Sequence, residues 1–125
     1  MVLLIDDDPL FAHDLGAALP ESSGMAWLPD TQRALETIRE AMHEVVLLDL
    51  NMPRHLAMLD EEEGIEVLER LTLEERLRVV VVTRSLTEGA RERLRNLGVG
   101  RIHFKSNSLA ALVRMIEAAS GLEAH

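Results

Sequence analysis

Residues 45–49 read Val-Val-Leu-Leu-Asp, four apolar side chains in succession closed by a carboxylate. A continuous apolar run of that length fits a strand buried on both faces, as the strands of a parallel sheet are. The same grammar recurs on either side. Upstream, VLLI at 2–5 ends on Asp6, Asp7 and Asp8. Downstream, VVVV at 79–82 ends on Thr83, and RIHF at 101–104 ends on Lys105. MAWL at 25–28 is a weaker strand candidate. Between these runs apolar residues recur at helical spacing: Leu10, Phe11, Leu15 and Leu19 after Pro9; Ala34, Leu35, Ile38 and Met42, with Asp30 as the expected cap; Ile65, Val67, Leu68 and Leu71; Ala90, Leu94 and Leu97, stopped by Gly98 and Gly100; and Leu109, Leu112, Val113 and Ile116. Parallel strands need crossovers, so this alternation predicts a doubly wound α/β fold with a five-stranded parallel sheet and five helices.

The 125 residues suit one domain, expected to span 1–125. Hydrophobic residues at 47% and charged residues at 28% describe a globular chain rather than a disordered one. With no cysteine there is no disulfide, thiolate metal site or cysteine nucleophile. A net charge of −9 repels a phosphate backbone, so direct nucleic-acid binding is not expected. No apolar run approaches the roughly 20 residues of a membrane helix, and the first one stops at Asp6 without a basic leader. A cytoplasmic location without membrane contact is the expectation.

In a doubly wound sheet, ligands bind beyond the carboxyl ends of the strands, where the strand order reverses. The residues that follow the strands therefore carry the chemistry. They are Asp6 and Asp7, Asp49, Thr83 and Lys105. Carboxylates gathered at one edge repel unless a cation neutralises them. A donor set made only of oxygens suits a hard divalent ion, namely Mg²⁺. Asp49 would then present a carboxylate oxygen as nucleophile, and a hydroxyl and an ammonium opposite it would hold a phosphoryl dianion. Lys105 is the only lysine among 13 basic residues, and a compact ammonium on a flexible stem can follow a phosphoryl group.

The segments LLIDDDPLF at 3–11, VVLLDLNMP at 45–53, VVVVT at 79–83 and HFK at 103–105 resemble the receiver domain of two-component response regulators, over the whole chain. The resemblance implies a flavodoxin-like three-layer sandwich, with Asp49 as phosphoacceptor. It implies that Asp7 ligates Mg²⁺ directly, Asp6 mostly through water and Asn51 through its main-chain carbonyl, while Thr83 and Lys105 bind phosphoryl oxygens. It further implies a sensor histidine kinase, phosphotransfer protein or small acyl phosphate as donor. A downstream protein or output domain would read the fourth helix, fifth strand and fifth helix, and a homodimer could form there. Such a chain phosphorylates itself and loses the group slowly; it turns over no outside substrate.

Four departures from the family pattern stand out. RHLAMLDEEE between Pro53 and Gly64 is an extension of roughly seven residues, which loop entropy tolerates easily. Its acids, Asp60, Glu61, Glu62 and Glu63, are expected just ahead of the third helix. Ile102 stands where the family often has Tyr or Phe, and the neighbouring His103 reads as a structural strand histidine. Ser106 replaces a proline commonly preceded by a cis bond; a cis bond before a non-proline costs about 2.5–4 kcal/mol, so a trans bond is expected. Arg84 is bulkier than the residue usually following the hydroxyl. Two alternatives follow: a phosphorylation-independent interaction module, and a haloacid-dehalogenase-like phosphatase suggested by Asp6-x-Asp8. The second would need its nucleophile on the first strand and a longer chain.

Overall fold

Alternate residues of the strands go to opposite faces of the sheet, and both faces are dry. Leu3, Ile5, Val46, Leu48, Val79 and Val81 pack on one side with Ala34, Ile38, Ile65, Leu68, Ala90 and Leu94. Val2, Leu4, Val45, Leu47, Val80 and Val82 pack on the other with Ala12, Leu15, Leu112 and Ile116. The computed structural model describes residues 1–40, 43–51 and 60–120, with residues 60–62 as backbone only. Its elements are β1 (Val2–Ile5), α1 (Pro9–Ala18), β2 (Met25–Leu28), α2 (Ala34–Ile38), β3 (Val45–Asp49), α3 (Asp60–Arg70), α4 (Leu73–Arg76), β4 (Val79–Thr83), α5 (Glu88–Asn96), β5 (Ile102–Phe104) and α6 (Leu109–Ser120). All pairings are parallel, in the order β2-β1-β3-β4-β5. The order reverses between β1 and β3, which places the ends of those strands at the switch point.

The three central strands, β1, β3 and β4, are wholly buried, and the edge strands β2 and β5 are not. Each fully buried leucine contributes roughly 1.5–3 kcal/mol, and Leu3, Leu4, Leu47, Leu48 and Leu68 are all fully buried. That reserve supports charged residues at the strand ends. Helix α1 starts as Pro9 at its first position predicts, with Asp8 Oδ1 accepting from Leu10 N at 3.0 Å and Phe11 N at 3.3 Å.

Three expectations change. A sixth helix, α4, follows α3 directly, built on a capping box in which Thr72 Oγ1 accepts from Glu75 N and Glu75 Oε1 accepts from Thr72 N. Arg76 ties that turn to the Leu68 and Leu97 carbonyls. Asp30 does not cap α2: its Oδ1 accepts from Gln32 N at 2.9 Å, and the helix starts later, from Arg33, without a side-chain cap. The acids from Asp60 to Glu63 form the first turn of α3 rather than a loop ahead of it, where the helix dipole favours negative charge. Met42 and residues 52–59 of the extended loop lie outside the described residues. The Lys105–Ser106 bond is trans, since no cis peptide is present among the described residues.

Gly64 is the point where α3 touches the site. A Cβ there would stand 2.5 Å from Leu50 Cδ2 and 3.3 Å from Leu50 Cα, and Leu50 is fully buried between Asp49 and Asn51. Gly64→Ala should therefore lower Tm, because overpacking of about 1–3 kcal/mol exceeds the gain of about 1 kcal/mol from helix propensity. Thermal melting checks this. A higher Tm, as at an ordinary helical glycine, would contradict the close approach.

Candidate functional site

The strand ends bring Asp6, Asp7, Asp49, Thr83 and Lys105 into one cluster. Asp6 is 0% exposed and Asp49 2%, while Asp7 is exposed. One carboxylate oxygen from each of the three lies within 4.8 Å of the others. The Lys105 ammonium stands 2.8 Å from Asp6 Oδ2 and 3.5 Å from Asp49 Oδ2, and 4.6 Å above the centre of the Phe11 ring. Its approach to Asp6 Oδ2 is an ion pair off the line of a hydrogen bond, so this buried oxygen keeps acceptor capacity unused. Asp6 Oδ1 accepts from Asp8 N at 3.0 Å, and Asp49 Oδ1 from Asn51 N at 2.8 Å.

One ammonium does not balance three carboxylates. The Asp49 carboxyl is pushed up from 3.8 to about 6, first by burial and then by the Asp6 charge, against the opposing Asn51 N–H and Lys105 ammonium. Oxygen donors, excess negative charge and an unfilled buried acceptor together suit a hard divalent cation. The expected acids thus meet where the sequence places them.

The Asn51 side chain does more than the sequence suggests. Its Oδ1 faces the Thr83 hydroxyl, Arg84 N at 2.7 Å and Ser85 N at 3.3 Å. It therefore joins the loop after β3 to the loop after β4. Thr83, fully buried, also lies 2.7 Å from the Ser85 carbonyl. Arg84 is exposed and pairs with Asp8 Oδ2 at 3.7 Å, linking the end of β4 to the start of α1. His103 is 2% exposed, with Nε2 unpartnered and its pKa lowered by burial, so it faces the interior and not a partner. Trp27 was not legible as part of the region: its indole Nε1 donates to the Asp6 carbonyl at 2.6 Å, a contact with no signature in sequence spacing.

The chain belongs to the response regulator receiver domain family, whose model matches residues 2–117. Among curated proteins it is 31% identical over 125 residues to a protein-glutamate methylesterase/protein-glutamine glutaminase of Archaeoglobus fulgidus, covering 97% of this chain and 33% of that protein. A second methylesterase/glutaminase, from Nitratidesulfovibrio vulgaris, is 30% identical over 112 residues, 87% of this chain and 29% of its own length. The chain thus spans about a third of the length of these relatives. Among solved structures it is similar to a Francisella response-regulator receiver domain (TM-score 0.74, 23% identity, 98% of this chain and 97% of the other). A receiver domain of a sensor histidine kinase from Pseudomonas aeruginosa, solved with magnesium in its active-site cleft, has a TM-score of 0.70 at 20% identity, covering 96% of each chain. At these identities the structures establish the flavodoxin-like receiver fold. No helix among the described residues is long and apolar enough to cross a membrane.

Proposed function

We propose that this receiver domain is a phosphorylation switch in which Asp49 is the phosphoacceptor. The observation that carries the reading is a buried Asp49 carboxylate at the switch point, with the Lys105 ammonium 3.5 Å away and Thr83 on the neighbouring strand end. An Asp49 oxygen attacks phosphorus, and the bond from phosphorus to the donor breaks. That bond is P–N in a phosphohistidine of a kinase or phosphotransfer protein, and P–O in an acyl phosphate. The donor leaves with the bonding electron pair. The Lys105 ammonium and Thr83 hydroxyl then receive phosphoryl oxygens. Asp7, Asp49 and the Asn51 carbonyl would hold Mg²⁺ directly and Asp6 through water; the ion supplies charge neutralisation to the acids and the incoming phosphoryl group. A downstream protein or output domain reads the phosphorylated state, in the cytoplasm, and the domain turns over no outside substrate.

Incubation with acetyl phosphate and Mg²⁺ tests this by mass spectrometry. The expected product carries one added phosphoryl group; no mass gain would leave the phosphorylation-independent interaction module. The metal makes a separate prediction. The raised Asp49 value contributes stability that is fully present below 3.8 and lost as pH rises through about 6. Mg²⁺ should relieve that loss, so millimolar Mg²⁺ should raise Tm more above pH 7 than near pH 5, where it competes with a proton. Equal increments at both would argue against these carboxylates as ligands.

A further inference from the structure

Trp27 is the only tryptophan. It stands on edge strand β2 in register with Leu4 and is 40% exposed. A single exposed aromatic ordinarily needs no explanation. This one reaches two residues past its pairing partner, to the Asp6 carbonyl. The β1–β2 ladder ends at the pair of Ile5 and Leu28. Asp6 N still donates to Leu28 O at 3.0 Å, but Pro29 follows, and no main-chain N–H outside the ladder takes the Asp6 carbonyl among the described residues. The indole N–H completes the edge where the backbone stops.

That carbonyl belongs to the peptide joining Asp6 to Asp7. The Asp6 carboxylate has anchors of its own in Asp8 N and Lys105. The Asp49 carboxylate has Asn51 N and Lys105. Asp7 has neither kind: its carboxylate is exposed, with no hydrogen-bond or ion-pair partner among the described residues. Its place within the three-acid cluster therefore depends on its main chain. We infer that Trp27 is a positioning residue of the metal site, its indole N–H holding the Asp6–Asp7 peptide so that the otherwise unanchored Asp7 carboxylate faces a divalent cation. This rests on the Mg²⁺ reading given above. Partners that hold a metal ligand directly are commonly worth 10–100-fold in affinity. Trp27 acts one step further back, through a peptide, so an effect of about 5-fold is expected.

The test compares Mg²⁺ titrations of wild type and Trp27→Phe by calorimetry, alongside melts in metal-free buffer. Phe keeps the ring and removes the donor. The expected result is a Kd for Mg²⁺ raised about 5-fold with the metal-free Tm little changed. An unchanged Kd overturns the proposal, and so does a lowered Tm with an unchanged Kd, which is the signature of a merely structural ring. The wild-type protein gives a second readout that no variant's folding can obscure. Its indole N–H proton resonance should move as Mg²⁺ is added and should not move in Asp7→Asn. A stationary resonance in a wild type that binds Mg²⁺ overturns the role of Trp27 alone. A wild type that binds no Mg²⁺ overturns the metal assignment as well.

Discussion

Asp49→Asn is expected to take up no phosphoryl group from acetyl phosphate or a cognate kinase, and to melt at a higher temperature than wild type in metal-free buffer at neutral pH. The first effect follows from the nucleophile: a neutral amide has no carboxylate oxygen to attack phosphorus. The second follows from the charge cluster. Burial and the Asp6 carboxylate push the Asp49 carboxyl up, so the cost of ionising it in the fold grows as pH rises from 3.8 and is complete above about 6. An amide of the same shape removes that charge and can still accept from Asn51 N. The Tm difference should accordingly widen as pH rises from near 5 to above 7. His43 and His103 act with the opposite sign, because burial lowers both and their contribution is lost as pH falls below 6.5. They are common to both proteins, so they cancel in the difference. A phosphorylated Asp49→Asn protein would overturn the assignment of the acceptor, and a difference that narrows with rising pH would overturn the electrostatics.

Lys105→Ala should move stability the other way. The ammonium is the positive charge that faces both Asp6 and Asp49, and its side chain is itself only 10% exposed. Removing one partner of a buried ion pair commonly costs about 3–5 kcal/mol, because the remaining charge is left uncompensated. Asp7 beside these acids is exposed and Asp49 takes up a proton readily, so the lower end is expected, a fall in Tm of roughly 10 °C for a domain of this size. Mg²⁺ should recover part of it by neutralising the same acids. Thermal melts with EDTA and with Mg²⁺ measure both. A variant as stable as wild type without metal would show that Lys105 is a solvated strand-end residue. Deleting one negative and one positive group from the same cluster thus shifts Tm in opposite directions, which general loosening of the fold would not produce.

Most of the architecture was legible because each central strand opens with four apolar residues and then meets a polar one: Asp6 after β1, Asp49 closing β3 and Thr83 closing β4. That pattern, with the weaker one ending on Lys105, put Asp6, Asp49, Thr83 and Lys105 at neighbouring strand ends, where the structure has them, without any knowledge of the turns between them. What escaped was set by contacts between distant segments or by very short local signals. Thr72 and Glu75 carry the spacing of a capping box, but one turn of helix has too few apolar positions to show a period. Asp30 has the right chemistry for a helix cap and instead closes a tight turn onto Gln32 N. Roles for the Trp27 indole and the Asn51 amide depend on partners 21 and 32 residues away, beyond any periodicity.

A carbonyl oxygen has two lone pairs, and Asn51 Oδ1 faces three donors: one hydroxyl and two main-chain N–H groups. When the Thr83 hydroxyl turns toward a phosphoryl oxygen, the oxygen it leaves retains two donors for two lone pairs. The amide oxygen is not orphaned by the departure, and the Ser85 carbonyl, 2.7 Å from the same hydroxyl, belongs to an exposed residue that solvent can satisfy. The hinge of such a switch is then a single side-chain rotation, with Arg84 and Ser85 still tethered by their backbone. Receivers that transmit their state by swinging an aromatic ring need room for the ring and a loop that yields to it. Ile102 offers no ring here, and the tethered loop demands none, so under the proposed phosphorylation of Asp49 the change at this edge would rest on the rotation of one hydroxyl.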